Sequence, residues 1–241
     1  MTVPPFQSEE EARLAAAYAR RREAPLAARY DPMGPAGAWN ELELARTLVP
    51  ALGRVCPTAA ELGRARILEV GCGTGSQLLR LVALGASPAL LAGIDLLPER
   101  ISVARQRHPD LDFRCGNAMD LPWASASFDL VLQITCLSSV LDPRVRQGIA
   151  AEMLRVLRPG GTVLSYDFVW NPRNRDTVGI GRAEHRRLFP GCPSWSRRCT
   201  LAPPLARSLV PGAAWLAEFL ARVPCLCFHR ITLLRRPPET V

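Results

Sequence analysis

The segment Ile67-Leu-Glu-Val-Gly-Cys-Gly-Thr-Gly-Ser-Gln77 decides the fold of this chain. Its first residues predict a short buried strand, glycines at 71, 73 and 75 follow, and a helical pattern then begins. Glycines let the chain turn sharply off a strand and leave room for a ligand against the backbone. The N-terminus of the following helix favours an anionic part of that ligand. Asp95, at the end of the next apolar run, is placed to bind a ribose diol.

Short apolar runs alternate with helical stretches on the C-terminal side of this segment, which predicts β-α-β units around a parallel sheet. Strands are predicted at Arg66–Val70, Leu90–Asp95, Asp112–Gly116, Asp129–Ile134, Thr162–Phe168 and His229–Leu234. Helices are predicted between the first five at Ser76–Leu84, Pro98–Arg107 and Arg144–Leu157. Near-continuous apolar runs such as LVLQI and TVLSY are typical of parallel strands buried on both faces. The expected fold class is α/β.

The regions that flank this predicted core differ from it. Residues 1–60 are expected to form an N-terminal helical arm and cap, with helices over 1–30 and Trp39–Leu52. Residues 61–170 form the predicted cofactor-binding core. Residues 171–241 are less regular, with a short helix at Arg182–Phe189, a turn-rich stretch at Pro190–Pro204 and the last strand. Because the link from 171 to 227 is too long for a simple crossover, we expect a substrate-side lid or insert within a single domain, 1–241.

Charge is distributed unevenly along the chain. All 30 basic residues are Arg, which excludes lysine-dependent chemistry such as Schiff bases and P-loop phosphate binding. Residues 1–170 hold 18 Arg and 18 acidic residues, whereas 171–241 hold 12 Arg and four acidic residues and carry the whole net charge of +8. Coding DNA rich in G and C favours Arg, but that bias acts on both parts alike. The asymmetry therefore favours an anionic acceptor, or an anionic surface that presents it, for the C-terminal part.

Signals for export, membrane insertion and metal binding do not emerge from the sequence. The N-terminal residues lack the basic segment of a secretory signal. The apolar stretch Pro211–Phe228 is interrupted by charged residues, and a transmembrane helix needs about 20 mainly apolar residues. The eight Cys include no CxxC pair and no His at zinc-site spacing, so no metal is expected. We therefore expect reduced thiols, a cytoplasmic location and no transmembrane segment.

Four motifs, in order between residues 66 and 168, carry a resemblance to a known family. ILEVGCGTGSQ resembles the first motif of the class I methyltransferases that use S-adenosylmethionine, and IDLLPER resembles their second-strand acidic motif. GNAMDLPWASASFDLVLQ and AEMLRVLRPGGTVLSYDF are similar to the blocks that end in their fourth and fifth strands. The resemblance implies a Rossmann-like, doubly wound, mainly parallel seven-stranded sheet. It also implies S-adenosylmethionine as cofactor, with S-adenosylhomocysteine as product.

The resemblance further implies where this cofactor lies. The glycine turn would pass under its methionine portion, Glu69 would lie near its ammonium group, and Asp95 would hold the ribose hydroxyls. Near the adenine, Asn117 replaces the Asp that is frequent in the family, and its carbonyl can still accept a hydrogen bond. Gln133 would face the methionine carboxylate or the reacting centre. The expected cofactor-binding residues are Glu69, Gly71, Cys72, Gly73, Gly75, Asp95, Leu96, Asn117, Ala118, Met119 and Gln133.

Some of these residues have competing structural roles. Glu69 could orient the glycine turn, Met119 could belong to the core, and Gln133 could satisfy backbone groups at the end of its strand. Acceptor contacts are expected at the carboxyl ends of the fourth and fifth strands. Asp167 is the first candidate there, with Tyr166 and Asn171 behind it, and His185 is a candidate base in the predicted lid helix. A cap or an ion pair is the competing role for Asp167, and a surface position for His185.

The Arg-rich segment 171–198, with Arg173 and Arg182 as candidate substrate-binding residues, leaves three interpretations open: an anionic small molecule, RNA, or a solvated charged face. Few aromatic residues are interleaved with the Arg, which disfavours nucleic acid. The apolar run Trp215–Phe228 is compatible with a core helix or with peripheral contact to a membrane.

We expect methyl transfer to O or N of a small molecule, such as a secondary metabolite or a glycan- or lipid-linked intermediate, with a quinone among the lipid-like acceptors. The alternatives are cofactor binding without methyl transfer and an RNA methyltransferase.

Overall fold

One sheet with helices on both faces organises the molecule. The computed structural model describes residues 8–21, 33–171 and 174–238, and in these residues seven strands form the sheet. The strands are β1 (Ile67–Val70), β2 (Leu91–Asp95), β3 (Asp112–Cys115), β4 (Phe128–Ile134), β5 (Leu157–Phe168), β6 (Ser194–Leu201) and β7 (Cys227–Arg235). The α-helices are α1 (Glu9–Arg21), α2 (Pro35–Leu52), α3 (Ala59–Arg64), α4 (Ser76–Ala83), α5 (Pro98–Arg107), α6 (Pro143–Val156), α7 (Arg182–Leu188) and α8 (Pro203–Leu220).

The strand order is β3-β2-β1-β4-β5-β7-β6. Strands β1 to β5 pair in parallel, whereas β7 runs antiparallel to β5 and β6 runs antiparallel to β7. The chain leaves β1 toward β2 on one side and returns through β4 on the other, so the order reverses between β1 and β4. Ligands of open α/β sheets bind outside the carboxyl ends of the strands at such a reversal. This topology confirms the doubly wound, mainly parallel, Rossmann-like sheet.

Side chains alternate between two apolar layers, one on each face of the sheet. Leu132 of β4 and Leu164 of β5 join the cluster covered by α2 to α5. Their neighbours Val131 and Val163 join the cluster covered by α6 and α7. Strands β1, β2 and β4 are therefore largely buried on both sides, as their continuous apolar runs predict, whereas β3, at the edge of the sheet, buries only Phe113.

The predicted elements of residues 61–170 are confirmed, with small differences at their ends. Helix α5 has the predicted bounds, and β5 begins five residues earlier than predicted, at Leu157. In the N-terminal arm, helix α1 is observed, and residues 1–7 and 22–32 lie outside the described residues. The prediction of a turn-rich stretch at Pro190–Pro204 is wrong for Ser194–Leu201, which forms β6. Its polar, Arg-containing sequence is typical of an exposed edge strand and lacks the apolar run that signals a buried one.

The apolar run Trp215–Phe228 does not form a core helix that covers the last strands. Helix α8 buries only Ala206 and Ala217, and it leaves Trp215 73% and Phe219 61% exposed. Its other side packs against α2 in a small cluster around Trp39. Among the described residues, no helix is both long and apolar enough to cross a membrane. Helix α8 therefore presents an apolar surface to its surroundings.

Candidate active site

The glycine turn after β1 requires residues without side chains. Gly71 and Gly73 have φ angles of +75° and +56°, in the left-handed region that glycine adopts without strain. A Cβ at Gly71 would lie 2.9 Å from Sγ of Cys136, and one at Gly73 would lie 2.9 Å from the guanidinium of Arg100. The backbone N–H of Gly71 donates to the carbonyl of Ile94 on β2 at 2.8 Å. The turn is thereby fixed against the end of the neighbouring strand.

Asp95 ties that strand end to the glycine turn. Its carboxylate accepts from the backbone N–H of Gly73 at 2.8 Å and from that of Leu97 at 3.0 Å. The guanidinium of Arg100 lies 3.4 Å away, and the same guanidinium stacks over the ring of Tyr18 on α1 at 4.7 Å. Asp95 is only 6% exposed, yet its side chain lines a cavity at the carboxyl edge of the sheet. A carboxylate fixed in this way is suited to recognise a pair of hydroxyl groups.

This cofactor cavity is lined by the glycine turn, by the ends of β2 and β3, and by helix α1. Its volume is about 90 Å³. The sequence-predicted residues that line it are Gly71, Asp95, Leu96, Asn117 and Ala118. Pockets for small molecules usually measure about 300–1,000 Å³. A ligand of that size therefore requires the cover formed by α1 to move outward.

Helix α1 is held over the cavity by polar contacts. The carboxylate of Glu11 accepts from the side-chain amide of Asn117 at 2.7 Å. Glu10 accepts from the backbone N–H of Leu141 at 2.6 Å, and Arg13 donates to the carbonyl of Ser139 at 2.6 Å. The Asn117 amide thus contacts the cover, while its carbonyl accepts from the backbone N–H of Met119 at 2.8 Å. Apolar contacts add to them, since Leu14 packs against the core and Ala17 is buried.

Glu69, on β1, is a buried carboxyl whose charge is incompletely compensated. It is 2% exposed, and its Oε2 atom has no hydrogen-bond partner among the described residues. Burial, reinforced by the nearby Asp95, raises the pKa of Glu69 well above its usual value. A cationic group that approached this carboxyl would favour its ionised form. Asp95 lines the cavity, whereas Glu69 is not among its lining residues; the unpartnered Oε2 of Glu69 is the observation that is compatible with a cationic group such as the ammonium of S-adenosylmethionine.

Asp167 does not project into the cavity. It is fully buried, and its carboxylate accepts from the amide of Gln133, from the hydroxyl of Ser165 at 2.9 Å and from the backbone N–H of Ser138 at 3.0 Å. The carbonyl of Gln133 in turn accepts from the backbone N–H of Cys136 at 2.9 Å. Cys136 and Ser139 line the cofactor cavity. Asp167 and Gln133 therefore hold the turn after β4, which forms one wall of that cavity.

The other two predicted catalytic side chains are also buried. Nε2 of His185 lies 2.8 Å from the hydroxyl of Ser165, and burial lowers the pKa of His185 to about 4. His185 is 2% exposed, so its expected alternative, a surface position, is wrong. Tyr166 points to the opposite face of the sheet, where its hydroxyl lies 2.7 Å from that of Thr200 and its ring stacks on His229. Burial raises the pKa of Tyr166 well above its usual value.

The remaining predicted residues are more dispersed. Cys72 is buried in the core, and Met119 is 41% exposed and packs against Gly148 instead of lining the cavity. Asn171 lines a separate pocket, and Arg182 donates to the hydroxyl of Ser196 at 3.2 Å. Arg173 lies outside the described residues.

Residues that sequence reasoning missed include Arg100 and Tyr18. Arg100 lies five residues after Asp95, at the end of the IDLLPER segment, and this position is the signal from which its contact with Asp95 could have been predicted.

Two further cavities differ in character. An apolar pocket of about 370 Å³ lies where β5 ends and β7 begins, lined by Trp170, Asn171, Ala202, Pro204, Leu205, Cys225, Leu226 and Phe228. A larger cavity of about 760 Å³ lies at the opposite edge of the sheet, near the start of β4, with Arg54, Arg64 and Arg235 in its lining. Because this larger cavity is remote from the glycine turn, size alone does not locate the active site.

Comparison with known proteins finds similarity to methyltransferases. Residues 67–161 match the family model of a methyltransferase domain. A methyltransferase-like protein of Schizosaccharomyces pombe is 37% identical over 137 residues, 54% of this chain and 49% of its own length. A phthiotriol/phenolphthiotriol dimycocerosates methyltransferase of Mycobacterium tuberculosis is 41% identical over 109 residues, 43% of this chain and 38% of its own length. A fatty-acid O-methyltransferase of Mycolicibacterium smegmatis is 42% identical over 110 residues, 45% and 39% of the two lengths.

Solved structures share the fold at low sequence identity. A chain in the complex of the Haloferax volcanii Trm112 methyltransferase activator with a methyltransferase is similar with a TM-score of 0.60 and 19% identity. It covers 96% of this chain and 99% of its own. A SAM-dependent methyltransferase of Methanosarcina mazei has a TM-score of 0.53 and 21% identity. The match covers 73% of this chain and 94% of that one.

The chain therefore contains an α/β methyltransferase domain. Its fold is shared by solved methyltransferases that are described as SAM-dependent. The matches cover at most about half of the length of the curated relatives.

The first prediction concerns Asp95. Replacing Asp95 with Ala removes the carboxylate at the cavity, and charge-assisted hydrogen bonds contribute about 1.5–3 kcal/mol each. We expect the dissociation constant of S-adenosylhomocysteine, measured by titration calorimetry, to rise about 10- to 100-fold or more. Asp110→Ala removes an exposed carboxylate from the turn before β3 and is the matched control. Equal affinity of the Asp95 and Asp110 variants would contradict this role.

The second prediction concerns the pH dependence of stability. Burial raises the pKa of Asp167 to about 6, from 3.8, so the folded state binds its proton more tightly than the unfolded state. The resulting stabilisation is fully present below about pH 4 and is lost as the pH rises through about 6. Each pKa unit corresponds to about 1.4 kcal/mol. The free energy of unfolding of the wild type relative to Asp167→Asn should therefore fall by roughly 2–3 kcal/mol between pH 4 and 7.

Urea unfolding of both proteins across this range measures that difference. The depressed pKa of His185 acts with the opposite sign in the same window, but it is common to both proteins and cancels to first order in the comparison. A difference that stays constant with pH would show that Asp167 keeps an ordinary pKa.

Proposed function

We propose that this protein transfers a methyl group from S-adenosylmethionine to an oxygen or nitrogen atom of a small, lipid-like molecule. The observation that carries the proposal is that Gly71 and Asp95 line one cavity, with an apolar pocket at the end of β5 on the same edge of the sheet. The buried carboxyl of Glu69 lies on β1, two residues before Gly71. The bound sulfonium would supply an already activated methyl group. The protein then contributes mainly binding, orientation and exclusion of water.

The residues in and near the cofactor cavity would contact different parts of the cofactor. Glu69 would pair with the ammonium group and Asp95 would accept hydrogen bonds from the ribose. Leu96, Asn117 and Ala118 would surround the adenine, with α1 closing over it. Arg100 would leave Asp95 partly or wholly, because both its guanidinium and a ribose need the same carboxylate oxygens. Gln133 and Asp167 act as positioning residues that hold the wall after β4.

The lipid-like acceptor is supported by the lining of the apolar pocket. Trp170 and Phe228 meet edge to face with ring centroids 5.0 Å apart, and apolar side chains make up most of the remaining lining. Curated relatives of this chain include a fatty-acid O-methyltransferase and methyltransferases of dimycocerosate lipids. Asp167 and His185 are buried, and neither is among the residues that line the cofactor cavity or the apolar pocket, so neither is placed to act as a base on an acceptor there. This favours an acceptor atom that is already ionised at neutral pH.

Helix α8 supports a peripheral contact with lipid surfaces. Trp215 and Phe219 are four residues apart, so they lie on one helical face, and both are largely exposed. Arg207 and Arg222 are exposed at the two ends of this region. Aromatic side chains flanked by Arg are typical of segments that rest in a membrane interface. We place the protein in the cytoplasm, which is supported by its eight free cysteines.

The third prediction tests the activity. Incubation with a methyl-labelled donor and a lipid extract should label a lipid product, and Asp95→Ala should abolish the labelling. Fatty acids of different chain lengths then define the acceptor. Binding of S-adenosylhomocysteine without any labelled product would instead indicate a protein that binds the cofactor without methyl transfer. Label found in RNA alone would contradict a lipid-like acceptor.

The fourth prediction tests the lipid contact. The double variant Trp215→Ala, Phe219→Ala should bind vesicles of phosphatidylcholine and phosphatidylglycerol at least about tenfold more weakly, because burying each large apolar side chain contributes about 1.5–3 kcal/mol. Co-sedimentation measures the bound fraction. Leu79→Ala, which truncates a 44% exposed apolar side chain on α4, is the control. The same loss in the control, or no loss in the double variant, would contradict the role of α8.

A further inference from the structure

The sheet face beneath α7 is polar where an apolar layer would be expected. On this face the cross-strand pairs are Ser165 with Thr232 and Asp167 with Arg230, between β5 and β7. On the next strand, Ser196 of β6 lies opposite Thr232. Buried polar groups are costly unless they have partners. Their accumulation under one short helix therefore calls for an explanation.

Two guanidinium groups converge on a single hydroxyl at this face. Arg230, which is 9% exposed, donates to the hydroxyl of Ser196 at 2.9 Å. Arg182, exposed at the start of α7, donates to the same hydroxyl oxygen at 3.2 Å. The Nε atom of Arg230 and the hydroxyl of Thr232 are buried without a hydrogen-bond partner among the described residues. Several donors thus point into one small region.

The described residues place no carboxylate within 4.0 Å of either guanidinium. Asp167 is the cross-strand neighbour of Arg230, but its oxygens already accept from Gln133, Ser165 and Ser138. Glu184 on α7 is taken by Arg146 at 3.2 Å and by Arg187 at 2.7 Å.

The remaining charged neighbour is Arg198, which lies opposite Arg230 and donates to the carbonyl of Cys227 at 3.1 Å. Burial and the positive charges of Arg182 and Arg198 lower the pKa of Arg230. A nearly buried cation beside two like charges is unfavourable unless an anion compensates it.

We propose that Arg182, Arg230 and Ser196 form a binding site for a carboxylate or phosphate group. Guanidinium groups bind these planar or tetrahedral oxyanions through paired hydrogen bonds, and the free Nε of Arg230 supplies one more donor. The site lies on β6 and β7, at one side of the sheet, and β4 and β5 separate it from β1 and the glycine turn. It also gives the charge of the C-terminal part a specific role: two of its 12 Arg form the site, and Arg198 lies beside it.

The oxyanion could be a free ion or the headgroup of an amphiphile, and the binding experiment separates these sources. Inorganic phosphate, sodium acetate and sodium decanoate are titrated into the protein by calorimetry, with sodium chloride keeping the ionic strength constant. We expect saturable binding of at least one probe with a stoichiometry near one. Mutual competition between phosphate and decanoate shows that both reach the same site. Tighter binding of decanoate than of acetate assigns it to an amphiphile headgroup, and tighter binding of phosphate assigns it to a free phosphate group.

Matched variants locate the site. Arg182→Gln should weaken binding of the probe at least tenfold, and Arg230→Gln should weaken it further. Arg186→Gln removes the same charge from an exposed position on the same helix and should leave the affinity unchanged. If Arg230→Gln fails to fold, the affinities of Arg182→Gln and of the charge-conserving Arg230→Lys for the probe, compared with that of the wild type, still test the site.

The proposal would be overturned if none of the probes binds saturably, or if Arg182→Gln and Arg186→Gln lose the same amount of affinity for the probe. Affinity for S-adenosylhomocysteine, measured on the same samples, should be the same in all of these variants. That control separates failure of the oxyanion site from failure of the proposed methyltransferase function.

Discussion

The hydrogen bond from the backbone N–H of Gly73 to the carboxylate of Asp95 is the contact on which the site depends. It joins the turn after β1 to the end of β2, the two elements that must stay in register for one ligand to reach both. Neither partner can change freely. Gly73 has a positive φ angle, and a Cβ there would displace the guanidinium of Arg100; Asp95 is held by a second backbone donor, Leu97. The sheet behind this contact provides the rigid support that such an arrangement needs.

The environment of this contact differs between its two sides. The sheet side is buried and rigid, with Glu69 and the network of Gln133 and Asp167 enclosed in the core. The opposite side is α1, which is attached through polar contacts from Glu10 and Glu11 and through apolar contacts of Leu14 and Ala17. Water can replace the hydrogen bonds of this cover at low cost, whereas its apolar contacts are lost when it moves. The construction therefore suits a pocket that must admit a ligand and then exclude water from it.

Much of this could be predicted from the sequence, because the determining signals are local. The glycine spacing and Asp95 predict where the cofactor site lies, and the apolar runs of β1, β2, β4 and β5 predict the parallel sheet. Strand β6 was missed because an exposed edge strand needs no apolar run. The predicted catalytic side chains are buried because of the face of the sheet that each occupies and because of partners distant in sequence, such as Ser138 and Thr200. These side chains are Asp167, Tyr166 and His185. Their sequence context indicates the right edge of the sheet, but it does not distinguish a buried network from an exposed catalytic group.

A crystal structure of the protein with S-adenosylhomocysteine is the most direct test of the central claim. The account predicts that both ribose hydroxyls lie within hydrogen-bond distance of the Asp95 carboxylate. It also predicts the ammonium group beside Glu69 and the glycine turn under the methionine portion. Arg100 should have moved off Asp95, and α1 should lie farther from the sheet. A ligand bound elsewhere, or a ribose that contacts neither Asp95 nor the end of β2, would contradict the account.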